Sequence, residues 1–309
     1  VGRFAPVAAL WPLSQVVAAA LHVSRLTGDT SLVGPLFDAL DRHRLRRGDG
    51  YLPFPGQGPL YFDDNAWVGL DQVQAALFGD GAAAAAARRT LGVVAAGQAP
   101  DGCIRWRDVP GSPVNTCATA PAVELALWLA GDAPPGPERD GLLAFAAGVD
   151  RGLTAALRRD DGLYADHVEP DGRVDHSLWA YNQGTPVGAD VLWWRLTADP
   201  SRLERATHTA VASLDYFRGD RLWGHPPAFV AVWFRNLLAL EAARPVPGLL
   251  DAVDAYLDDV WVRARDPRTG AFGAGGLGRY DQGGVIDHAG LTQLLALRAS
   301  PPAWWSSIC

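Results

Sequence analysis

Two adjacent carboxylates, Asp63 and Asp64, sit between a stretch rich in Gly, Pro and aromatics (residues 48–62) and a helix-forming run over 67–78. The segment reads Tyr61-Phe62-Asp63-Asp64-Asn65-Ala66-Trp67. Two acids, an amide and a ring at one loop–helix junction can cleave a glycosidic bond. One acid attacks or stabilises the sugar cation, the other shuttles the proton, and the ring stacks on the sugar. The same residues could do less, because an Asp at a helix start often caps it and complements its dipole. Neighbours in a regular helix point about 100° apart. The pair can therefore flank one bond only if Asp63 lies outside the helix, which the Gly/Pro-rich lead-in allows. Mutual repulsion would raise one pKa and keep that group protonated as the acid.

Such a pair must be held by a scaffold, and the apolar periodicity is helical nearly everywhere. It predicts helices over 12–27, 30–44, 64–79, 81–97, 115–131, 138–158, 177–198, 201–217, 226–243, 247–265 and 280–298. A turn with Gly or Asp followed by an apolar or aromatic pair recurs about every 55 residues. Its instances are Asp49-Gly50-Tyr51-Leu52, Asp101-Gly102-Cys103-Ile104, Asp161-Gly162-Leu163-Tyr164, Gly219-Asp220-Arg221-Leu222-Trp223 and Thr269-Gly270-Ala271-Phe272. One set of connections is long and aromatic (45–62, 99–114, 160–176, 266–279), and the other is short (28–29, 199–200, 245–246). Long loops gathered on one face are where function is expected. The expected fold is all-α, an (α/α)6 barrel built as one domain over residues 1–309. The twelfth helix is either the tail 301–308 or a segment upstream of Val1, so one outer helix can be lacking.

In such a barrel the starts of alternate helices converge. They carry Trp11-Pro12-Leu13-Ser14-Gln15, Asp63-Asp64-Asn65-Ala66-Trp67, Asn115-Thr116, Trp179-Ala180-Tyr181-Asn182-Gln183-Gly184, Pro226-Pro227-Ala228-Phe229 and Tyr280-Asp281-Gln282. Amides that bind hydroxyls and rings that stack on C–H faces suit a neutral sugar. The candidate substrate contacts here are Trp11, Gln15, Asn65, Trp67, Asn115, Thr116, Tyr181, Asn182, Gln183 and Phe229. Asn115 could equally be an N-cap. Two amides and a Gly inside the helical pattern at 182–184 cost helix propensity, and such breaks in local consistency cluster at sites.

Composition narrows the partners. The chain has 309 residues, and at 49% hydrophobic and 20% charged it is globular rather than disordered. A net charge of −7 argues against nucleic acid and anionic membrane. No apolar run is long enough to span a bilayer. Twelve Trp suit a sugar cleft, although cores also use Trp. Every basic residue is Arg, and there is no Lys or Met. With abundant Ala and Gly, this suggests a GC-rich, bacterial coding sequence. The Val1 start suggests a trimmed chain or an unusual start codon, which leaves localisation open. Cys103, Cys117 and Cys309 are an odd count without CxxC spacing, so neither a disulfide framework nor a zinc site is expected; Cys103 and Cys117 read as small buried residues or as a pair across a loop.

The sequence resembles glycoside hydrolase family 76, the endo-α-1,6-mannanases, especially bacterial members. The resemblance rests on Trp11-Pro12-Leu13-Ser14-Gln15, Tyr61-Phe62-Asp63-Asp64-Asn65-Ala66-Trp67, Asn115-Thr116-Cys117, Trp179-Ala180-Tyr181-Asn182-Gln183-Gly184, Trp233-Phe234-Arg235-Asn236-Leu237 and Val285-Ile286-Asp287-His288-Ala289. It implies an (α/α)6 barrel, retaining hydrolysis without metal or other cofactor, Asp63 as nucleophile and Asp64 as acid/base. It also adds Asp287 to the substrate contacts. The expected partner is an α-mannan-type oligo- or polysaccharide, bound by a monomer. Two other readings stand beside this one. A sugar epimerase on the same barrel would use His176, His225 and His288 as acid and base. A glycan-binding protein would keep the cleft without the chemistry.

Overall fold

The helical periodicity resolves into pairs. The computed structural model describes residues 7–272 and 284–308. Six helices form an inner ring: α1 (Leu10–Thr27), α3 (Phe62–Leu77), α5 (Thr116–Asp132), α7 (Ala180–Thr197), α10 (Pro227–Ala243) and α12 (Val285–Ala299). Each packs on the next, and α12 returns to pack on α1, closing an (α/α)6 barrel. Outside them lie α2 (Val33–Asp41), α4 (Gly81–Ala96), α6 (Pro137–Ala156), α8 (Pro200–Tyr216) and α11 (Leu249–Arg263), each against the inner helix before it. A single turn, α9 (Asp220–Trp223), precedes α10. The two-residue strands β1 (Val114–Asn115), β2 (His167–Val168) and β3 (Val174–Asp175) form a small antiparallel sheet in the loops. No described helix is long and apolar enough to cross a membrane.

The tail does not supply a twelfth outer helix. Residues 302–307 form a 3-10 turn across the C-terminal ends of the inner helices. There Gln74 Nε2 donates to the Ser307 carbonyl at 3.2 Å, Trp305 Nε1 to the Leu297 carbonyl at 3.0 Å, and Arg195 to the Ser306 carbonyl. The Arg25 guanidinium lies 4.5 Å from the Trp304 ring centre. The barrel is thus floored at the end away from the long loops.

The repeating turns have a common anchor. Tyr51, Ile104, Tyr164 and Phe272 each form an antiparallel bridge with the end of the preceding helix region, at Arg44, Gln98, Arg158 and Arg265. Gly102 and Gly162 make the turns with φ of +96° and +85°, where a side chain would be strained. Each bridged residue then donates its backbone N–H to a side chain of the next inner helix. The acceptors are Asn65 Oδ1 (2.8 Å), Thr119 Oγ1 (3.0 Å), Gln183 Oε1 (2.8 Å) and His288 Nε2 (3.1 Å). All four lie four residues after their helix N-cap, and each also bonds the carbonyl of that N-cap: Tyr61, Asn115, Trp179 and Gly284. One side chain therefore satisfies a loop N–H that would otherwise be buried unpaired and ties it to the N-cap carbonyl of the next helix. The Gly219–Trp223 repeat departs from this and folds as α9 instead.

Gly184 has a packing reason rather than a chemical one. A Cβ there would lie 2.6 Å from Trp233 Cα and 2.9 Å from the Val232 carbonyl, both backbone of α10. Helix propensity alone predicts that Gly184→Ala stabilises by about 1 kcal/mol. The contact predicts the opposite, a loss of about 1–3 kcal/mol from overpacking. A thermal melt decides, and a raised Tm would refute the close approach of α7 and α10.

Because they are covered on all sides, the inner helices put polar side chains toward the barrel interior, where they pair. Ser14 Oγ donates to Asp71 Oδ2 at 2.6 Å, Arg235 Nη1 to Gln293 Oε1 at 3.4 Å, and Gln293 Nε2 to the Gln15 carbonyl at 3.0 Å. Burial raises the Asp71 pKa well above the usual carboxylate range and that of Glu124 to about 8, with the Arg235 charge opposing both.

Candidate active site

The lead-in to α3 is fixed by the loop before α5. Tyr61 bridges Arg107, and Phe62 N donates to the Trp106 carbonyl at 2.9 Å. Tyr61 is the N-cap in extended geometry and makes no side-chain cap. Asp63 and Asp64 are thus the second and third residues of α3. The expectation that Asp63 lies outside the helix is corrected, because the bridge at Tyr61 ends the extended chain two residues before it. The condition that the acids can act on one bond only from outside the helix falls with it, since within the first turn they are near enough for the charge of Asp63 to act on Asp64. Neither acid is the N-cap.

Both residues are half-buried, and Asp63 Oδ1 is fully buried. Trp106 Nε1 donates to Asp63 Oδ2 at 3.0 Å, and the Cys117 thiol approaches the same oxygen at 3.5 Å. Burial raises the Asp63 pKa to about 6, against the pull of the Asp64 and Asp63 backbone N–H groups, Trp106 and Cys117. Asp64 is pushed well up as well, by burial and then by the charge of Asp63. Two carboxyls so raised, side by side, favour sharing a proton near neutral pH.

The starts of α5 and α7 complete the surroundings. β1 pairs with β2, setting Asn115 beside His167 and drawing the 160–176 loop alongside α5. Asn115 is the N-cap of α5 but makes no side-chain cap bond, and its buried Oδ1 is unpaired. Thr116 is consumed in holding the loop: its hydroxyl donates to the Ala165 carbonyl at 2.6 Å and its N–H to the Asp166 carbonyl at 2.9 Å. Asn182 Nδ2 donates to Asp166 Oδ1 at 2.9 Å. Tyr181 lies close to Cys117, Asp166 and Asp63, which add to burial in raising its hydroxyl pKa. Its ring centre is 4.0 Å from that of Phe229, which is 5.5 Å from Trp11 and 5.6 Å from Trp179. An aromatic wall built from the starts of α1, α7 and α10 thus runs up to the acid pair.

Other expected contacts are used elsewhere. Asn65 is buried and both its N–H groups are spent on the Tyr51 and Tyr61 carbonyls, at 3.0 and 2.7 Å. Gln183 is buried likewise, on Tyr164 and Trp179. These amides hold loops instead of facing a cavity. Trp67 is core, with Arg235 near its ring face. Gln15 is buried against Gln293. Asp287 is buried in the first turn of α12, near enough to Tyr256 to add to the burial that raises its hydroxyl pKa. Tyr280, Asp281 and Gln282 fall outside the described residues.

The three histidines do not act as a pair. His288 accepts at Nε2 from Phe272 N–H, which fixes the proton on Nδ1 toward the Gly284 carbonyl. His225 packs edge-on against Trp179 and Phe217, with its pKa lowered to about 4 by burial. His176 is exposed. Their settings are separate, and no hydrogen bond joins any two of them among the described residues. Cys103 and Cys117 are both free and buried, so they do not pair across the loop.

Sequence reasoning missed Trp106, Cys117 and Asp166 as site residues. Asp166 carries a network of its own: His167 Nδ1 lies 2.9 Å from its Oδ2, and His167 Nε2 lies 3.3 Å from Glu169 Oε1. Partial burial pulls the His167 pKa down, but Asp166, Glu169 and Asp175 outweigh it and leave the pKa raised. Asp166, His167 and Asp175 could together offer three ligand atoms to a cation. Carboxylates on both ring nitrogens match a bridging imidazolium better.

The sequence profile of Glycosyl hydrolase family 76 matches residues 1–225. No curated protein matches the chain. Among solved structures, a family 76 glycoside hydrolase from a bovine Bacteroides thetaiotaomicron strain superposes with a TM-score of 0.82 at 21% identity, covering 96% of this chain and 70% of that one. The α-1,6-mannanase GH76A of Salegentibacter sp. HEL1_6 is similar at TM-score 0.74 and 18% identity, with 94% and 89% covered. That structure is an inactive variant with two consecutive aspartates changed to asparagine, in complex with α-1,6-mannotriose. Dfg5 from Chaetomium thermophilum, in complex with glucosamine, is similar at TM-score 0.76 and 17% identity, with 94% and 82% covered.

Proposed function

Because the chain belongs to glycosyl hydrolase family 76, we propose that it is a retaining glycoside hydrolase that cuts α-1,6-linked mannose chains. Asp63 is the nucleophile and Asp64 the acid/base. The observation that carries this reading is the placement of two adjacent carboxyls in the first turn of an inner helix, one held by the Trp106 indole, beside the Trp11–Phe229–Tyr181 aromatic wall. Burial raises the pKa of both, and the charge of Asp63 adds to the rise at Asp64. A retaining mechanism needs Asp63 ionised and Asp64 protonated at the moment of attack, and that charge effect favours this division.

In the first step Asp63 forms a bond to the anomeric carbon as the glycosidic C–O bond breaks, and the leaving oxygen takes the proton of Asp64. In the second, water attacks the same carbon, gives a proton to Asp64 and frees the Asp63 carboxylate. Trp11, Tyr181 and Phe229 supply the stacking surface for the sugar, with Asp166 and Asn182 beside it as hydroxyl partners. The α-1,6-mannose preference is supported by family membership and by the mannotriose held by the Salegentibacter relative.

Incubation with linear α-1,6-mannan and α-1,6-mannooligosaccharides, followed by product sizing, tests the proposal. Internal cleavage is expected, with intermediate oligomers appearing before mannose. No release from either substrate, under conditions where the folded protein is confirmed by its melt, refutes the substrate assignment.

A further inference from the structure

Nothing in the family assignment says what holds the attacking carboxylate. We propose that Trp106 and Cys117 are positioning residues for Asp63, an indole N–H and a thiol aimed at one carboxylate oxygen so that its orientation and ionised state are fixed before sugar arrives. The inference rests on the assignment of Asp63 as nucleophile and goes beyond it.

Two independent segments converge on Oδ2. Trp106 comes from the loop between α4 and α5, Cys117 from the second residue of α5. The indole nitrogen is at 3.0 Å and the sulfur at 3.5 Å. The indole is itself immobilised. Its ring meets Tyr61 edge-on at 5.2 Å, and the Arg107 guanidinium covers it at 4.7 Å. Its backbone is pinned twice, through Phe62 N to its carbonyl and its own N–H to the Pro113 carbonyl, both at 2.9 Å. Cys117 is buried, and burial with the charges of Asp63 and Asp166 pushes its thiol pKa well up. It therefore remains S–H, a donor and not a competing anion.

The chemistry needs such donors. Burial works against the ionised form of Asp63, and a hydrogen bond to a carboxylate works for it. When the ester of Asp63 is hydrolysed the charge returns to the carboxylate, so the same donors favour its departure. Cys117 is the weaker donor, as expected for sulfur.

The test is the pH profile of kcat/KM on dinitrophenyl α-mannoside, whose leaving group needs no proton from Asp64. Four proteins are compared: the unmodified chain, Trp106→Phe, Cys117→Ala and Cys117→Ser. Trp106→Phe keeps the stacked ring and removes the donor. It is expected to lower kcat about 10- to 100-fold, with KM little changed, and to move the acid limb to higher pH. Cys117→Ala moves it in the same direction by less, and Cys117→Ser restores it, since a hydroxyl donates better than a thiol. An unmoved acid limb in both Trp106→Phe and Cys117→Ala overturns the proposal, as does a loss confined to KM. If Trp106→Phe does not fold, the Cys117→Ala and Cys117→Ser pair decides by the same criteria. Asp63→Asn separates the two levels. A dead Asp63→Asn with unmoved acid limbs sinks only this inference, and an active one sinks the nucleophile assignment beneath it.

Discussion

Asp63→Asn is expected to lower kcat about 10⁴-fold or more, even on dinitrophenyl α-mannoside. That is about 5.4 kcal/mol of transition-state stabilisation. Asn is nearly isosteric and still offers an oxygen to the Trp106 N–H, so the fold and the loop should survive; the thermal melt checks this. The loss should appear in kcat, because the amide cannot form the covalent intermediate. The configuration of the first product reports the mechanism directly. Retaining cleavage of an α-mannoside releases the α-anomer, visible by proton NMR before mutarotation. A β-configured first product, or normal turnover by Asp63→Asn, would overturn the nucleophile assignment.

The second large effect concerns Asp64. Asp64→Ala should lose about 10²–10⁴ in rate on mannan, where the leaving alcohol must be protonated. On dinitrophenyl α-mannoside the first step should survive and the second become limiting, so a burst of dinitrophenolate precedes slow turnover. Azide should then accelerate turnover, its nitrogen bonding to the anomeric carbon as the bond to Asp63 breaks. Two inversions give α-mannosyl azide. The β-azide from this variant would exchange the roles of the two acids. The pH profile carries the same assignment. Activity needs ionised Asp63, so it falls as pH drops through about 6. It also needs protonated Asp64, so it falls again as pH rises past that group's raised pKa. The alkaline limb should appear in kcat/KM on mannan and be absent on dinitrophenyl α-mannoside, whose leaving group needs no proton, and Asp64→Ala should leave the acid limb on the activated substrate in place.

The helical pairing was legible because apolar periodicity and the spacing of the Asp-Gly turns are local signals. The acid pair and the aromatic wall of Trp11, Tyr181 and Phe229 were legible for a related reason, since each residue opens an inner helix. The amides were misread. Asn65 and Gln183 look like sugar ligands in sequence, and only their partners, Tyr51 and Tyr164, reveal their work. Those partners lie 14 and 19 residues away, beyond any helical repeat. Trp106 and Asp166 stayed hidden because neither sits at a helix start. The Tyr61–Arg107 bridge and the β1–β2 pairing bring them in, and two-residue pairings leave almost no pattern in sequence.

The anchoring of Tyr51, Ile104 and Tyr164 by Asn65, Thr119 and Gln183 separates two kinds of evolutionary pressure. Upstream of each anchored residue, the chain is tied to the barrel, and changes there are changes to the scaffold. Between the anchored residue and the next N-cap, at residues 52–60, 105–114 and 165–178, the chain is fixed at both ends by bonds that do not depend on what lies between. Those stretches hold Trp106, Asp166 and His167. Residues 105–114 also hold Trp106 against Asp63 and are tied to the chemistry, but exchanging 165–178 for a different length or sequence leaves its anchor bonds intact, so the barrel can keep its catalytic acids while its choice of glycan drifts. Grafting residues 165–178 from a relative with different specificity should therefore transfer preference without a refolding of the host.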